Sequence, residues 1–178
     1  MIALAETIIQ EIAGVCECVE IAQIEEVIRC IGKNKRIFVV GEGRSGLIVK
    51  CFAMRLMHLG YEVYVLGETI NPAMHEDDVL VAVSGSGKSE TVLIHVKKAK
   101  AIGSAVIGIS AKKESKLFQS ADCCLYIPGT VKQDAQRRSI QLLSTLFDQS
   151  LHVILDMVVL MISQSNQIGN EQAANNHY

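Results

Sequence analysis

From Leu4 to Ile31, apolar residues recur at steps of three and four: Leu4, Ile8, Ile12, Val15, Val19, Ile24, Val27, Ile28 and Ile31. This spacing predicts one or two amphipathic helices with a weak point near Gly14, ended by Gly32. The pattern then changes to short β-branched runs: I-F-V-V at 37–40, V-Y-V-L at 63–66, V-L-V-A-V at 79–83, A-V-I-G-I at 105–109 and C-L-Y-I at 124–127. Helical segments are predicted between most of them, over 45–59, 89–102 and 112–119, with a last helix from about Thr145 to Ile162. Uniformly apolar strands alternating with helices predict an α/β fold with a parallel sheet covered on both faces. Pro128 and Gly129 open a polar connection, and the last sixteen residues are polar, expected to be mobile unless tied down. The organisation read from this is an N-terminal helical segment over 1–31, a domain over 32–163 and a polar tail over 164–178.

The chain has 178 residues, 49% of them hydrophobic, enough to bury a core without disulfides or metal. A formal charge of -2 and the lack of a basic run argue against nucleic acid as a partner. The six cysteines form no C-x-x-C pair, which indicates neither a metal site nor a disulfide framework and points to a reducing, cytoplasmic setting. The N-terminus carries Glu6 and Glu11 and no basic n-region, unlike a signal peptide. No apolar stretch reads as long and uncharged enough to span a bilayer, so no membrane partner is expected.

Two glycine loops follow strands. The second, S-G-S-G-K-S-E-T at 84–91, ends like a Walker A loop in Gly87, Lys88 and Ser89, but Ala82 stands where the first glycine belongs. No apolar strand ends in an Asp suited to hold magnesium. What the loop offers is a cradle for a phosphate ester: the hydroxyls of Ser84, Ser86, Ser89 and Thr91, glycines 85 and 87 that let backbone N–H groups face inward, and a helix amino end. The first loop, V-G-E-G-R-S-G-L at 40–47, has glycines at 41, 43 and 46, formally a dinucleotide fingerprint. The acidic residue that should end the next strand comes late, as Glu68 beyond a glycine. Loops after neighbouring strands of an open parallel sheet share one crevice, and two such loops suit a compact sugar phosphate.

The segments G-E-G-R-S-G-L, F-A-M-R-L-M-H-L-G-Y, V-L-G-E-T-I-N-P, S-G-S-G-K-S-E-T and S-T-L-F-D-Q-S, in order from about Arg36 to Ile162, resemble the sugar isomerase (SIS) domain, and within it the 6-phospho-3-hexuloisomerases. The resemblance implies a flavodoxin-like three-layer sandwich, a five-stranded parallel sheet of order 2-1-3-4-5, a homotetramer, and interconversion of 3-hexulose 6-phosphate and fructose 6-phosphate without cofactor or metal. It assigns the phosphate to Ser84, Gly85, Ser86, Gly87, Ser89 and Thr91, with Gly43 and Ser45 beside them, and places Arg44 and Glu68 near the sugar. Lys88 falls where the family varies, and His58 and Arg55 read as structural.

The chain departs from the family at its proton-transfer groups. The family's catalytic Glu, in a P-M-G-[ST]-x-F-E stretch, becomes Asp148 within L-L-S-T-L-F-D, one methylene shorter. An offset of about 1 Å can cost on the order of a hundredfold in rate. T-L-F-D also has the spacing of a helix capping box. The family's tail His is absent from its usual place, which leaves His177 as the substitute. Asp148 and His177 are therefore the candidate catalytic pair. The alternatives are another sugar-phosphate isomerase working on an aldose–ketose pair, or a non-catalytic SIS sensor that binds a sugar phosphate.

Overall fold

A computed structural model describes residues 2–32, 36–134 and 139–177; residues 135–138 of the polar connection lie outside them. The N-terminal periodicity forms α1 (Ile2–Glu17) and α2 (Ile21–Ile31). The break falls at 18–20, not at Gly14, which stays inside α1. Gly32, at φ 53°, ends α2 as expected.

Five parallel strands follow: β1 (Ile37–Gly41), β2 (Val63–Val65), β3 (Val79–Val83), β4 (Ala105–Ser110) and β5 (Cys123–Tyr126), in the order β2-β1-β3-β4-β5. β1 and β3 pair in register from Ile37 with Val79 to Gly41 with Val83, so both strands end at one level. Their residues are buried on both faces, which is why they lack polar alternation. Below them Arg36 binds the buried Asp78 carboxylate through Nε at 2.9 Å and Nη2 at 2.6 Å, tying the two strand entries together.

One face of the sheet packs against α2, α3 (Gly43–His58) and α6 (Thr145–Asn166), with α1 lying on α6. The other packs against α4 (Glu90–Ile102) and α5 (Lys116–Ser120). Helix α5 is shorter than the predicted 112–119, because Ser115 caps it by accepting from the Phe118 N–H while Lys112 turns away to pair with Asp134.

The structure corrects the expectation on membrane-spanning length and decides the condition set for the tail. At 22 residues α6 is, by length and composition, long and apolar enough to cross a membrane. Half of its most apolar window is nevertheless buried in the protein, which accounts for its apolarity as a core helix. The tail is tied down: α7 (Asn170–Asn175) follows a left-handed turn at Gln167, and Asn176 Nδ2 donates to the His58 carbonyl at 2.9 Å.

Candidate functional site

α3 begins two residues after β1 ends, and this sharp return requires close approach of helix and strand. A Cβ on Gly46 would lie 2.6 Å from the Gly41 carbonyl oxygen, so glycine at both positions allows the loop to close. In the second loop, the Gly87 N–H donates to the Ser84 carbonyl at 2.9 Å and its backbone adopts φ 63°. Gly87 therefore shapes the turn against Ser115, and its N–H does not face the crevice as the sequence reading expected.

The two loops and the start of α6 enclose a cavity of about 680 Å³ at the carboxyl ends of β1 and β3. Gly43, Arg44 and Ser45 line it from α3; Ser84, Gly85, Ser86 and Ser89 line it from the second loop. The amino ends of α3, α4 and α6 converge on this space, and the lining carries three cations, Arg44, Lys88 and Lys132, against two carboxylates, Glu42 and Asp148. Partial positive charge at three helix ends, reinforced by side-chain cations, favours an anion. Ser84 Oγ accepts from the Ser89 N–H at 3.4 Å, and Ser86 Oγ accepts from the Lys88 N–H at 3.3 Å. Each hydroxyl keeps its own hydrogen to donate to a phosphate oxygen.

Asp148, on the first turn of α6, lines the same cavity and is 4% exposed. Ser45 Oγ donates to its Oδ1 at 2.6 Å, and Arg44 Nη1 donates to Thr145 Oγ1 at 3.2 Å beside it. Burial pushes the Asp148 carboxyl above the usual range, while the Ser45 hydrogen bond and the Arg44 charge oppose it. The capping-box alternative is overturned: Ser144 is the N-cap of α6, no side-chain cap bond forms, and the Asp148 carboxylate is held by Ser45. A buried carboxylate with a raised pKa beside an anion-favouring cavity is a group that can exchange a proton with a molecule bound there.

Four predicted residues fall outside this lining: Gly87, turned toward Ser115, and Thr91, Glu68 and His177. Thr91 is exposed on the first turn of α4, beyond the cradle. Glu68, 55% exposed, pairs with Lys50 Nζ at 2.7 Å, because β2 is a short edge strand and its following loop folds over α3. His177 lies with its ring centroid 5.0 Å from that of His58 at the far end of α3, about 20 Å along the helix from Ser45. Within one chain it does not meet Asp148.

Lys132, Gln133, Leu143 and Ser144 also line the cavity without having been singled out. They belong to the polar connection and the entry of α6, which carry no spacing motif; only the family's P-M-G-[ST] stretch marked the place.

A family model described as the SIS domain matches residues 31–153. The 3-hexulose-6-phosphate isomerase of Methanocaldococcus jannaschii is 37% identical over 155 residues, covering 87% of this chain and 82% of that protein. The enzyme of the same name from Bacillus subtilis is 33% identical over 146 residues, covering 81% of this chain and 79% of its own. A crystal structure of a Methanococcus jannaschii protein, from which a molecular function of 3-hexulose-6-phosphate isomerase was inferred, aligns with a TM-score of 0.84 at 30% identity, over 99% of this chain and 98% of that one. Sheet order, paired glycine loops and this extent of similarity agree, and the chain belongs to the SIS domain family.

Proposed function

We propose that this chain is a sugar-phosphate isomerase that interconverts 3-hexulose 6-phosphate and fructose 6-phosphate through an enediol. The observation that carries the reading is the buried Asp148 carboxylate, fixed by Ser45 in the same cavity that the Ser84–Ser89 loop lines. The two named isomerases at 33–37% identity support it.

In this reading the cradle anchors the phosphate, and that remote binding energy positions the sugar carbons against Asp148. Starting from fructose 6-phosphate, Asp148 takes the proton at C3. The C3–H electron pair becomes the C2–C3 double bond, and the C2 carbonyl oxygen, polarised by loop donors, takes up a proton. The C3 hydroxyl then gives up its proton, its electrons form the C3 carbonyl, and the C2–C3 double-bond pair takes back a proton at C2. Arg44 and Thr145, hydrogen-bonded beside Asp148, supply donors for the developing oxyanion.

The assembly proposed is a homotetramer, supported by the apolar side chains that α3 and α6 leave exposed, such as Leu47, Met54, Val153 and Leu160. A proton-transfer role for His177 requires a neighbouring copy to bring it to the site. The test is incubation with fructose 6-phosphate: appearance of a second ketose phosphate in the carbon spectrum supports the reading, and a spectrum without product from protein that binds the sugar contradicts it.

A further inference from the structure

Helix α1 lies outside the span that the SIS model matches, yet its Glu11 reaches residues 139–141, just before the cavity-lining Leu143 and Ser144. Ser139 Oγ donates to Glu11 Oε2 at 2.7 Å, the Ile140 N–H to Oε1 at 2.9 Å, and Gln141 Nε2 to Oε2 at 2.9 Å. Three donors from three consecutive residues converge on one acceptor-only group, the arrangement that a carboxylate satisfies and an amide does not. Burial lifts the Glu11 carboxyl, and the bonds from Gln141, Ser139 and Ile140 outweigh it, leaving the group below the usual carboxylate range.

The fastened residues lead directly into the cavity wall. Leu143 and Ser144 line the cavity, and the Lys132 N–H holds Ser144 Oγ at 3.1 Å from the other side. Between these two anchors Leu143 adopts φ 55°, a left-handed conformation that costs a leucine energy and persists only where the flanking chain dictates it. The strained residue sits two positions before α6 begins and five before Asp148.

We propose that Glu11 is a positioning residue: its carboxylate fastens residues 139–141, and through them sets the cavity wall and the orientation of Asp148. The catalytic consequence rests on the isomerase reading above; the fastening itself does not.

The test compares wild type, Glu11→Ala and Glu11→Gln by hydrogen exchange of the 139–145 peptide amides, by calorimetric binding of fructose 6-phosphate, and by kcat and KM with that sugar. Glu11→Ala is expected to accelerate exchange over 140–145 by about tenfold or more, the factor carried by one hydrogen bond to a charged group. It is expected to weaken fructose 6-phosphate by a similar factor, with exchange in β3 and β4 unchanged. Glu11→Gln, which keeps one acceptor but turns an N–H toward Gln141, should fall between. Unchanged exchange over 140–145 overturns the proposal, as does acceleration that spreads through the sheet, or local acceleration with affinity and KM intact. If wild type neither binds nor converts the sugar, the isomerase reading fails, and the exchange data still decide whether Glu11 fastens the wall.

Discussion

Ser45 Oγ and Asp148 Oδ1 are 2.6 Å apart across 103 positions of sequence, joining the amino ends of α3 and α6 at the candidate site. The hydroxyl orients the carboxylate through Oδ1, and in the proposed mechanism Oδ2 is the oxygen that takes the proton. An aspartate, shorter than the family's glutamate, is thus supported by a neighbour on the first glycine loop.

Asp148→Asn keeps an oxygen for Ser45 but cannot take a proton. Turnover of fructose 6-phosphate should fall by at least about a hundredfold, the lower range for general base catalysis, with calorimetric affinity retained. The folded pKa of Asp148 is raised from 3.8. Its contribution to stability is therefore fully present below the unfolded value and lost as pH rises through the folded one. The variant, freed of a buried ionised carboxylate, should be more stable than wild type at neutral pH and equal to it in acid, as urea titrations at both pH values will read.

Ser45→Ala removes a group that lowers the Asp148 pKa and leaves burial opposed only by Arg44. The acid limb of the kcat/KM profile should move to higher pH and kcat should fall. Superimposable profiles would show that Ser45 does not tune the base.

Gly46→Ala puts a Cβ 2.6 Å from the Gly41 carbonyl oxygen, a backbone atom that cannot swing aside. Overpacking of this kind costs about 1–3 kcal/mol, and each kcal/mol lowers Tm by about 2–4 °C in a chain of this size. Gly14→Ala is the opposite case: nothing lies within 4 Å of its Cβ in mid-helix α1, and a gain of up to about 1 kcal/mol is expected. Thermal melts of the two variants should move in opposite directions.

The docked tail carries its own titration. Burial, then the nearby His177 and Arg55 charges, lower the His58 pKa from 6.5. Stability from this neutral imidazole is present above the unfolded value and is lost as pH falls below it toward the folded one. The ring C2–H resonance of His58 should titrate below pH 6.5, and removal of residues 170–178 should raise its midpoint.

Much of this was legible because it is written locally. Apolar runs of 37–40 and 79–83 define central strands, and glycines at 41, 43 and 46 mark the return into α3. The Ser84–Ser89 loop placed its hydroxyls at the cavity because a strand end and a helix start leave a short loop few paths. Glu68 and Thr91 read equally well on the line but face away, since the lateral reach of an edge loop and the helical angle of a first turn are tertiary matters. The Glu11 contacts span 128–130 positions and leave no spacing signature at all. Likewise, the length of α6 as a single apolar helix is hard to see on the line, where Asp148 and Asp156 break the run, while in the fold half of its most apolar window is buried.

Proton transfer between C2 and C3 of a sugar phosphate at Asp148 leaves an isotopic record that NMR of fructose 6-phosphate with the protein in D₂O reads. Expected are 3-hexulose 6-phosphate with deuterium at its C2, or deuterium exchanged into C3 of the starting sugar, and loss of both in Asp148→Asn. Deuterium at C1 rules out the 2,3-enediol and assigns a 1,2-enediol instead.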